Sequence, residues 1–183
     1  TKTSGKGKAR MRGIGYRRFG GADVLQEVDV REPRLSTGRV IVEVNSFGIN
    51  PLDYRLRRGE IIPFIIPGQS RTIASDFAGT VVAVGPEVKD LSYGDEVYGM
   101  VNQLSSGAAA DRIIVSNEQV ARRPMNIDNA IAATVPLAAM TAYQALHDLA
   151  KVKAGQRVLV NGASGGVGTY ATQLAHIAGA HVT

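Results

Sequence analysis

The sequence contains no cysteine and no tryptophan, and aromatic residues make up only 5% of its 183 residues. Without cysteine the chain forms no disulfide and offers no thiolate to a metal, so nothing in its composition argues for secretion. No stretch reaches the ~18 consecutive apolar residues of a membrane span. We therefore expect a cytoplasmic protein with no membrane partner. Because 44% of the residues are hydrophobic, the chain is still able to bury a sizeable core.

Most of the net charge of +5 comes from the first ten residues. They include four basic residues and no acidic one, which leaves a net charge of +1 for the rest. This segment lacks the apolar stretch of a signal peptide. We interpret residues 1–10 as a disordered or cloning-derived basic tail, or as a weak transit peptide, with Met11 as the natural start. A nucleic-acid partner is not expected, because four charges without aromatic residues make a poor nucleic-acid site.

From Met11 onward, apolar and polar residues alternate in short runs that are separated by Gly/Pro turns. Alternation of this kind predicts β-strands. The predicted strands cover 12–16, 24–30, 39–49, 76–85, 95–101 and 110–115. Many short strands in one segment favour a barrel or sandwich-like domain, which we place at 11–124.

Helical patterning begins after Pro124 and opens a second domain at 125–183. Asp128 is a suitable N-cap for a short helix, and Pro136 fits the first turn of a longer helix that runs to about Ala150. The domain then has a buried strand over 157–161, a glycine turn, a helix over 169–178 and a second strand from His181. A doubly wound sheet needs several more strands, so we expect this domain to be incomplete at Thr183.

The glycine turn reads Ala163-Ser164-Gly165-Gly166-Val167-Gly168. Gly165 and Gly166 let the backbone approach a ligand, and Gly168 lets the helix pack close to the strand. The N-terminus of the helix then presents free N–H groups and a positive dipole end to a pyrophosphate. The strand–turn–helix context predicts that these six residues bind a dinucleotide. The alternative interpretation is a glycine loop with a structural role only.

Five further stretches carry a resemblance to a known family: "MRGIGYRRFGGADVLQEVDVREPRLSTGRVIVEVNSFGINPLDYRLRRG", "SDFAGTVVAVG", "YGDEVYG", "PLAAMTAYQAL" and "VLVNGASGGVG". Together they resemble the zinc-independent quinone oxidoreductase branch of the medium-chain dehydrogenase/reductase superfamily. The resemblance implies a GroES-like β-barrel domain followed by an incomplete α/β Rossmann domain, with a cofactor cleft between them. It also implies NAD(P)H-dependent reduction of a small-molecule quinone or enone, and a homodimer in the full-length protein.

Zinc-dependent relatives place catalytic ligands at positions that match Asn50, Ser75 and Leu137. None of these is a cysteine or histidine, so we expect no bound metal. The three histidines, His147, His176 and His181, are interpreted as surface residues of helices or of a strand. Without a metal to polarise its oxygen, the substrate must already be electron-poor, as quinones and α,β-unsaturated carbonyls are.

By the same resemblance, Asn50 faces the nicotinamide and the reaction pocket, and Tyr54 belongs to the catalytic segment. Many quinone reductases have Tyr two residues after the aspartate, where this chain has Arg55; "NPLDYR" is more similar to plant-type enone reductases, which have Lys there. We therefore expect Arg55 to be a cation that stabilises a developing enolate. The alternatives are that Asn50-Pro51 forms a turn, that Asp53 caps the following helix, and that Arg55 makes a surface ion pair. Thr141 is predicted to contact the nicotinamide or its phosphate region; alternatively it bonds its own helix backbone.

The resemblance, with a turn that departs from the stricter three-glycine fingerprint, implies NADPH as the cofactor, with NADH as the alternative. The residue that decides this choice is expected just after Thr183 and to be Ser, Thr or Arg. A competing hypothesis is a non-enzymatic nucleotide- or partner-binding protein that keeps the same fold. The 183 residues alone are expected to be inactive, since they lack most of the cofactor domain.

Overall fold

The computed structural model describes residues 10–61, 69–102 and 107–183. The chain forms two compact units, residues 1–134 and residues 135–183. Residues 1–9 of the predicted basic tail lie outside the described residues, whereas Arg10 begins the first strand. No helix of the described ranges is long and apolar enough to cross a membrane.

The first unit is built mainly from antiparallel strands. Their bounds are β1 Arg10–Tyr16, β2 Gln26–Arg31, β3 Arg39–Gly48, β4 Arg71–Thr72, β5 Asp76–Val84, β6 Glu96–Met100, β7 Arg112–Ser116 and β8 Val120–Arg122. Among the described residues they form two sheets, with the orders β2-β1-β4 and β7-β3-β5-β6-β8. All six predicted strands are present, with ends shifted by up to two residues. The start of the second strand is shifted by two residues because Ala22–Val24 forms a 3₁₀ turn that buries Val24 before β2 begins.

Alternation along the strands produces the core of the first unit. Val40 and Val42 of β3 point inward and are completely buried, as are Phe77 and Val81 of β5. The start of β5 is covered on both faces, since Ala78 packs against the helix α2, Asn129–Ala132, and Ala133 beside it. This packing explains why the first unit extends to Thr134, past the boundary that we place at 124 from the sequence.

Two short helices complete the first unit. The helix α1 covers Pro51–Arg57, directly after β3. Asp128 caps α2 as predicted, with its Oδ1 accepting the Ile131 N–H at 2.8 Å. Gly48 lies where a Cβ would approach the Ala133 carbonyl oxygen to 2.2 Å, so glycine at this position allows the chain after α2 to pass close to β3.

The second unit contains helix α3, Pro136–Tyr143, strand β9, Arg157–Val158, helix α4, Gly166–Ile177, and strand β10, His181–Val182. Pro136 begins α3 as predicted, but the α-helix changes to π-helical geometry over Gln144–Leu149. β9 and β10 are parallel, and α3 packs against α4. The predicted buried strand over 157–161 was wrong in its burial: Leu159 is 79% exposed. In the described part of the chain β9 pairs with β10 alone, so one edge and much of its surface remain uncovered.

Candidate functional site

Asp53 ties the start of α1 to the loop that precedes β5. Its Oδ2 accepts the Asn50 N–H at 2.6 Å, and its Oδ1 accepts the Ala74 N–H at 2.6 Å. The side chain is only 5% exposed. The carboxyl group therefore makes two contacts: it caps α1, as the alternative interpretation of Asp53 expects, and it bonds a segment 21 residues further along the chain.

Ala74 has a backbone conformation that alanine rarely adopts. Its φ is +73°, in the left-handed region that favours glycine. A non-glycine residue in this region costs ~1 kcal/mol or more, and it persists only where neighbouring contacts hold it. Here the N–H donates to Asp53, and the carbonyl accepts the Ala108 N–H at 2.7 Å. The strained residue fixes the path of the chain into Ser75 and Asp76.

The side chain of Asn50 is held by β5. Its Nδ2 donates to Asp76 Oδ2 at 2.8 Å. This contact is possible because Gly48, at the end of β3, lies opposite Asp76 in the strand pairing. Asp76 and its neighbour Ser75 are each only 1% exposed, and the Ser75 hydroxyl has no hydrogen-bond partner among the described residues.

We name this group, Asn50, Asp53, Ser75 and Asp76, the polar cluster. It lies where β3 ends and β5 begins. Three large apolar or aromatic residues within four positions of Asn50 in the sequence are exposed: Phe47 at 40%, Ile49 at 62% and Tyr54 at 44%. Exposed apolar side chains around a set of ordered polar groups are typical of small-molecule sites.

Tyr54 and Arg55 lie on the exposed side of α1. The Arg58 guanidinium lies 5.3 Å from the centre of the Tyr54 ring. Arg55 Nε is 3.3 Å from Glu60 Oε2, with 54% of the Arg55 side chain exposed. An exposed pair of this kind contributes at most ~1 kcal/mol, so it leaves Arg55 free to reorient. The alternative interpretation as a surface ion pair describes the resting contact, and the catalytic role stays a prediction.

Tyr16 belongs to the core, as expected for a buried aromatic residue. It is 2% exposed and packs in the main hydrophobic cluster of the first unit. Burial raises the pKa of its phenol, and a hydrogen bond with Arg71 partly offsets that rise. The phenol therefore stays protonated at neutral pH.

Asn50, Ser75 and Leu137, the positions that the resemblance matches to zinc ligands, carry an amide, a hydroxyl and an alkyl group, and those groups make a poor zinc site. No group of three or more histidines and acids within the described ranges is arranged to hold a metal. His147 stacks on Tyr143 with ring centres 4.7 Å apart and lies 2.9 Å from Asp148 Oδ1. His176 and His181 are exposed. The interpretation of all three histidines as surface residues is confirmed.

The second unit has the predicted order of strand, glycine turn, helix and strand. α4 begins at Gly166, three residues before the predicted start, because Gly166, Val167 and Gly168 form its first turn. Gly162 has a φ of +78° and reverses the chain after β9. Gly165 is the last residue before the helix, and its N–H donates to the Gly162 carbonyl at 3.0 Å.

The glycines of the turn have different surroundings. A Cβ on Gly168 would lie 2.2 Å from the Gly162 carbonyl oxygen, so only glycine lets α4 pack on the turn there. A Cβ on Gly165 or Gly166 would meet its nearest atom at 3.3 or 3.9 Å, on an exposed surface. The first N–H groups of a helix have no acceptor within the helix. An open backbone surface with unpaired donors fits a pyrophosphate.

Thr141 shows the contact expected from its alternative interpretation. Its Oγ1 donates to the Leu137 carbonyl at 2.7 Å, one turn earlier in α3. The hydroxyl oxygen can still accept a hydrogen bond, so the predicted cofactor contact is compatible with this geometry and stays a prediction.

Sequence reasoning missed Asp76 as part of the site. The motif "SDFAG" shows an acid at a strand start, but only the pairing of β3 with β5 brings that acid to Asn50. The register of two strands is not readable from either strand alone.

Comparison with known proteins agrees with this architecture. Residues 36–125 match the alcohol dehydrogenase GroES-like domain family. The chain is 37% identical over 179 residues to a chloroplast envelope quinone oxidoreductase homolog of Arabidopsis thaliana, covering 94% of this chain and 54% of that protein. It is 36% identical over 194 residues to a 2-methylene-furan-3-one reductase of Solanum lycopersicum, covering 98% and 48%. The chain thus spans about half the length of the curated relatives that it matches.

Solved structures give the same assignment. The quinone oxidoreductase of Coxiella burnetii superposes with a TM-score of 0.85 at 29% identity, covering 95% of this chain and 56% of that one. A GroES-like domain followed by the first elements of a Rossmann domain defines a medium-chain dehydrogenase/reductase. Residues 36–125 match the GroES-like family, and over nearly its whole length the chain is similar to quinone oxidoreductases of that superfamily. The resemblance and the fold class predicted from the sequence are thereby confirmed.

Proposed function

We propose that the protein reduces quinones or α,β-unsaturated carbonyls with NADPH and without zinc. The observation that carries this proposal is that one chain combines an open glycine turn at the start of α4 with an amide and a hydroxyl, Asn50 and Ser75, where zinc-dependent relatives have ligands. Relatives whose names refer to quinone oxidoreductases and to an alkenal/one oxidoreductase support the same class of reaction.

In this proposal, separate groups of residues bind the cofactor and stabilise the charge that develops on the substrate. The backbone of Ala163, Ser164, Gly165, Gly166, Val167 and Gly168 holds the pyrophosphate, and Thr141 contacts the nicotinamide part. When bound, the cofactor supplies a hydride to the electron-poor carbon of the substrate. Negative charge then develops on the substrate oxygen, and Tyr54 and Arg55 are the donors available on α1. Asn50, at the end of β3, is assigned to the nicotinamide and the reaction pocket, as the resemblance implies.

Several properties of the whole protein belong to this proposal. The cofactor is NADPH in preference to NADH, and the protein is a homodimer in solution. A cytoplasmic location stays a prediction, and the names of several relatives refer to the chloroplast. If the whole protein binds a nucleotide or a partner but reduces no substrate, the competing hypothesis of a non-enzymatic binding protein replaces this proposal.

Zinc independence is tested on the pure whole protein. We expect metal analysis to find no stoichiometric zinc, and NADPH oxidation with an enone to be unchanged after EDTA treatment and buffer exchange. The reason is that no soft or imidazole ligand stands at the three matching positions. Activity that is lost with EDTA and restored by zinc would contradict the proposal.

Replacing Arg55 with alanine is expected to lower kcat and kcat/KM for an enone together, by about tenfold, with cofactor affinity unchanged. A group that acts only on charge developing in the transition state produces this pattern. Arg18→Ala is the control, because Arg18 is likewise an exposed arginine paired with an acid, Asp23, at 3.5 Å, and the variant should retain near wild-type turnover. If both variants turn over like the wild type, Arg55 is a surface residue only.

A further inference from the structure

Two hydrogen bonds fix Asn50, one through its main chain and one through its side-chain amide. Its backbone N–H donates to Asp53 at 2.6 Å, which fixes the main chain. Its Nδ2 donates to Asp76 at 2.8 Å, which fixes the side chain. Asp76 is 1% exposed, and Asn50 is half-buried.

The direction of the amide follows from the chemistry of its partner. Rotating the amide by half a turn would bring Oδ1 against a carboxyl oxygen of Asp76, and two acceptors without a hydrogen between them would face each other. Leaving buried polar groups unpaired in this way costs ~1–3 kcal/mol. The nitrogen therefore stays at Asp76, and Oδ1 occupies the opposite edge of the amide.

We propose that Asp76 is a positioning residue that makes Asn50 a hydrogen-bond acceptor toward a bound ligand. This inference rests on the proposed function and deepens it. Quinones and enones without hydroxyl or amino groups carry acceptors only, whereas the cofactor carries donors, in its nicotinamide carboxamide and its ribose hydroxyls. The Oδ1 acceptor of Asn50 therefore recognises the donors of the cofactor, because an acceptor oxygen gives no hydrogen bond to the developing charge on the substrate oxygen.

The contact itself can be tested without any ligand. In the whole protein, the side-chain amide signal of Asn50 is identified by its loss in Asn50→Ala. We expect its hydrogens to exchange with water at least tenfold more slowly in the wild type than in Asp76→Asn. In Asp95→Asn, the same chemical change at a carboxylate that bonds Ser92 and Arg122, exchange should stay slow. Equally fast exchange in the wild type and Asp76→Asn would overturn the contact.

The direction of the amide is tested by NADPH binding. We expect Asp76→Asn and Asn50→Ala each to raise the NADPH dissociation constant about tenfold, and the double variant to bind no worse than Asn50→Ala. Two residues that act through one contact are not additive. The KM for a simple quinone should change little. Additive losses, or a changed quinone KM with unchanged NADPH binding, would overturn the proposal.

A second variant keeps the test decisive if Asp76→Asn does not fold. Asn50→Asp keeps an oxygen on the outer edge but turns an acceptor toward Asp76. We expect it to weaken NADPH binding as much as Asn50→Ala does, and wild-type affinity would overturn the proposal. If the wild type binds neither NADPH nor NADH, both the proposed function and the role of Asn50 toward the cofactor are refuted. The exchange measurement still decides separately whether Asn50 contacts Asp76.

Discussion

Replacing Gly168 with valine raises the dissociation constant for NADPH by at least 100-fold, or about 2.7 kcal/mol. The Cβ of any side chain at this position would lie 2.2 Å from the Gly162 carbonyl oxygen and 2.7 Å from the Ala163 Cα. Both atoms belong to the backbone, so the turn has to move away from α4. Its N–H groups then no longer converge on a pyrophosphate. Isothermal titration of the whole protein with NADPH measures the effect.

Gly165→Ala is the matched control for this prediction. Its Cβ would meet only the Gly162 carbonyl oxygen, at 3.3 Å, a contact that a shift of a few tenths of an ångström relieves. From the sequence, both glycines are expected to tolerate no large side chain. In the structure, a side chain at Gly168 would collide with the backbone of the turn. At Gly165 the protein itself leaves room, so a large side chain there would collide only with a bound ligand. We expect Gly165→Ala to keep the fold and to weaken binding less than Gly168→Val. If both variants bind NADPH as tightly as the wild type does, the turn is not part of the binding site.

Replacing Asp53 with alanine destabilises the first unit by about 3 kcal/mol or more. The change removes the acceptor of the Asn50 N–H and of the Ala74 N–H, each bonded at 2.6 Å. Ala74 then keeps its positive φ without the bond that helps to hold it. Urea unfolding followed by circular dichroism measures the loss, and hydrogen exchange at Ala74 should accelerate at the same time.

Asp128→Ala provides the comparison for Asp53→Ala. Asp128 also caps a helix, since it accepts the Ile131 N–H at 2.8 Å, but it is exposed and bonds one segment only. Loss of such a cap costs ~1 kcal/mol. If the two variants lose the same free energy of unfolding, the second bond of Asp53, to Ala74, does not stabilise the fold as we argue.

Much of the fold could be predicted because its signals are local. Val42 and Val44 alternate with the polar residues Glu43 and Asn45, so β3 was predicted with nearly its full length. The glycine turn was predicted because a strand and a helix flank it within a few residues. The strands β4 and β8, of two and three residues, are too short to show any alternation, so neither was predicted.

The parts that could not be predicted depend on contacts between distant segments. Asp76 reaches Asn50 only through the pairing of β3 with β5, across 26 positions of sequence. The positive φ of Ala74 is imposed by Asp53 and by the Ala108 N–H, and alanine itself carries no signal for it. Leu159 was expected to be buried because apolar runs in this context form central strands. Its exposure depends on how many strands flank β9, which the run itself does not encode.

The most direct test of the central claim follows the hydride. The whole protein, freed of metal with EDTA, is incubated with an enone and NADPH that carries deuterium at both C4 positions, and the product is analysed by mass spectrometry. We predict a saturated ketone with one deuterium at the former β-carbon, formed at the same rate as by untreated protein. An unlabelled product, or no product with any enone or quinone of a broad panel, would contradict the account.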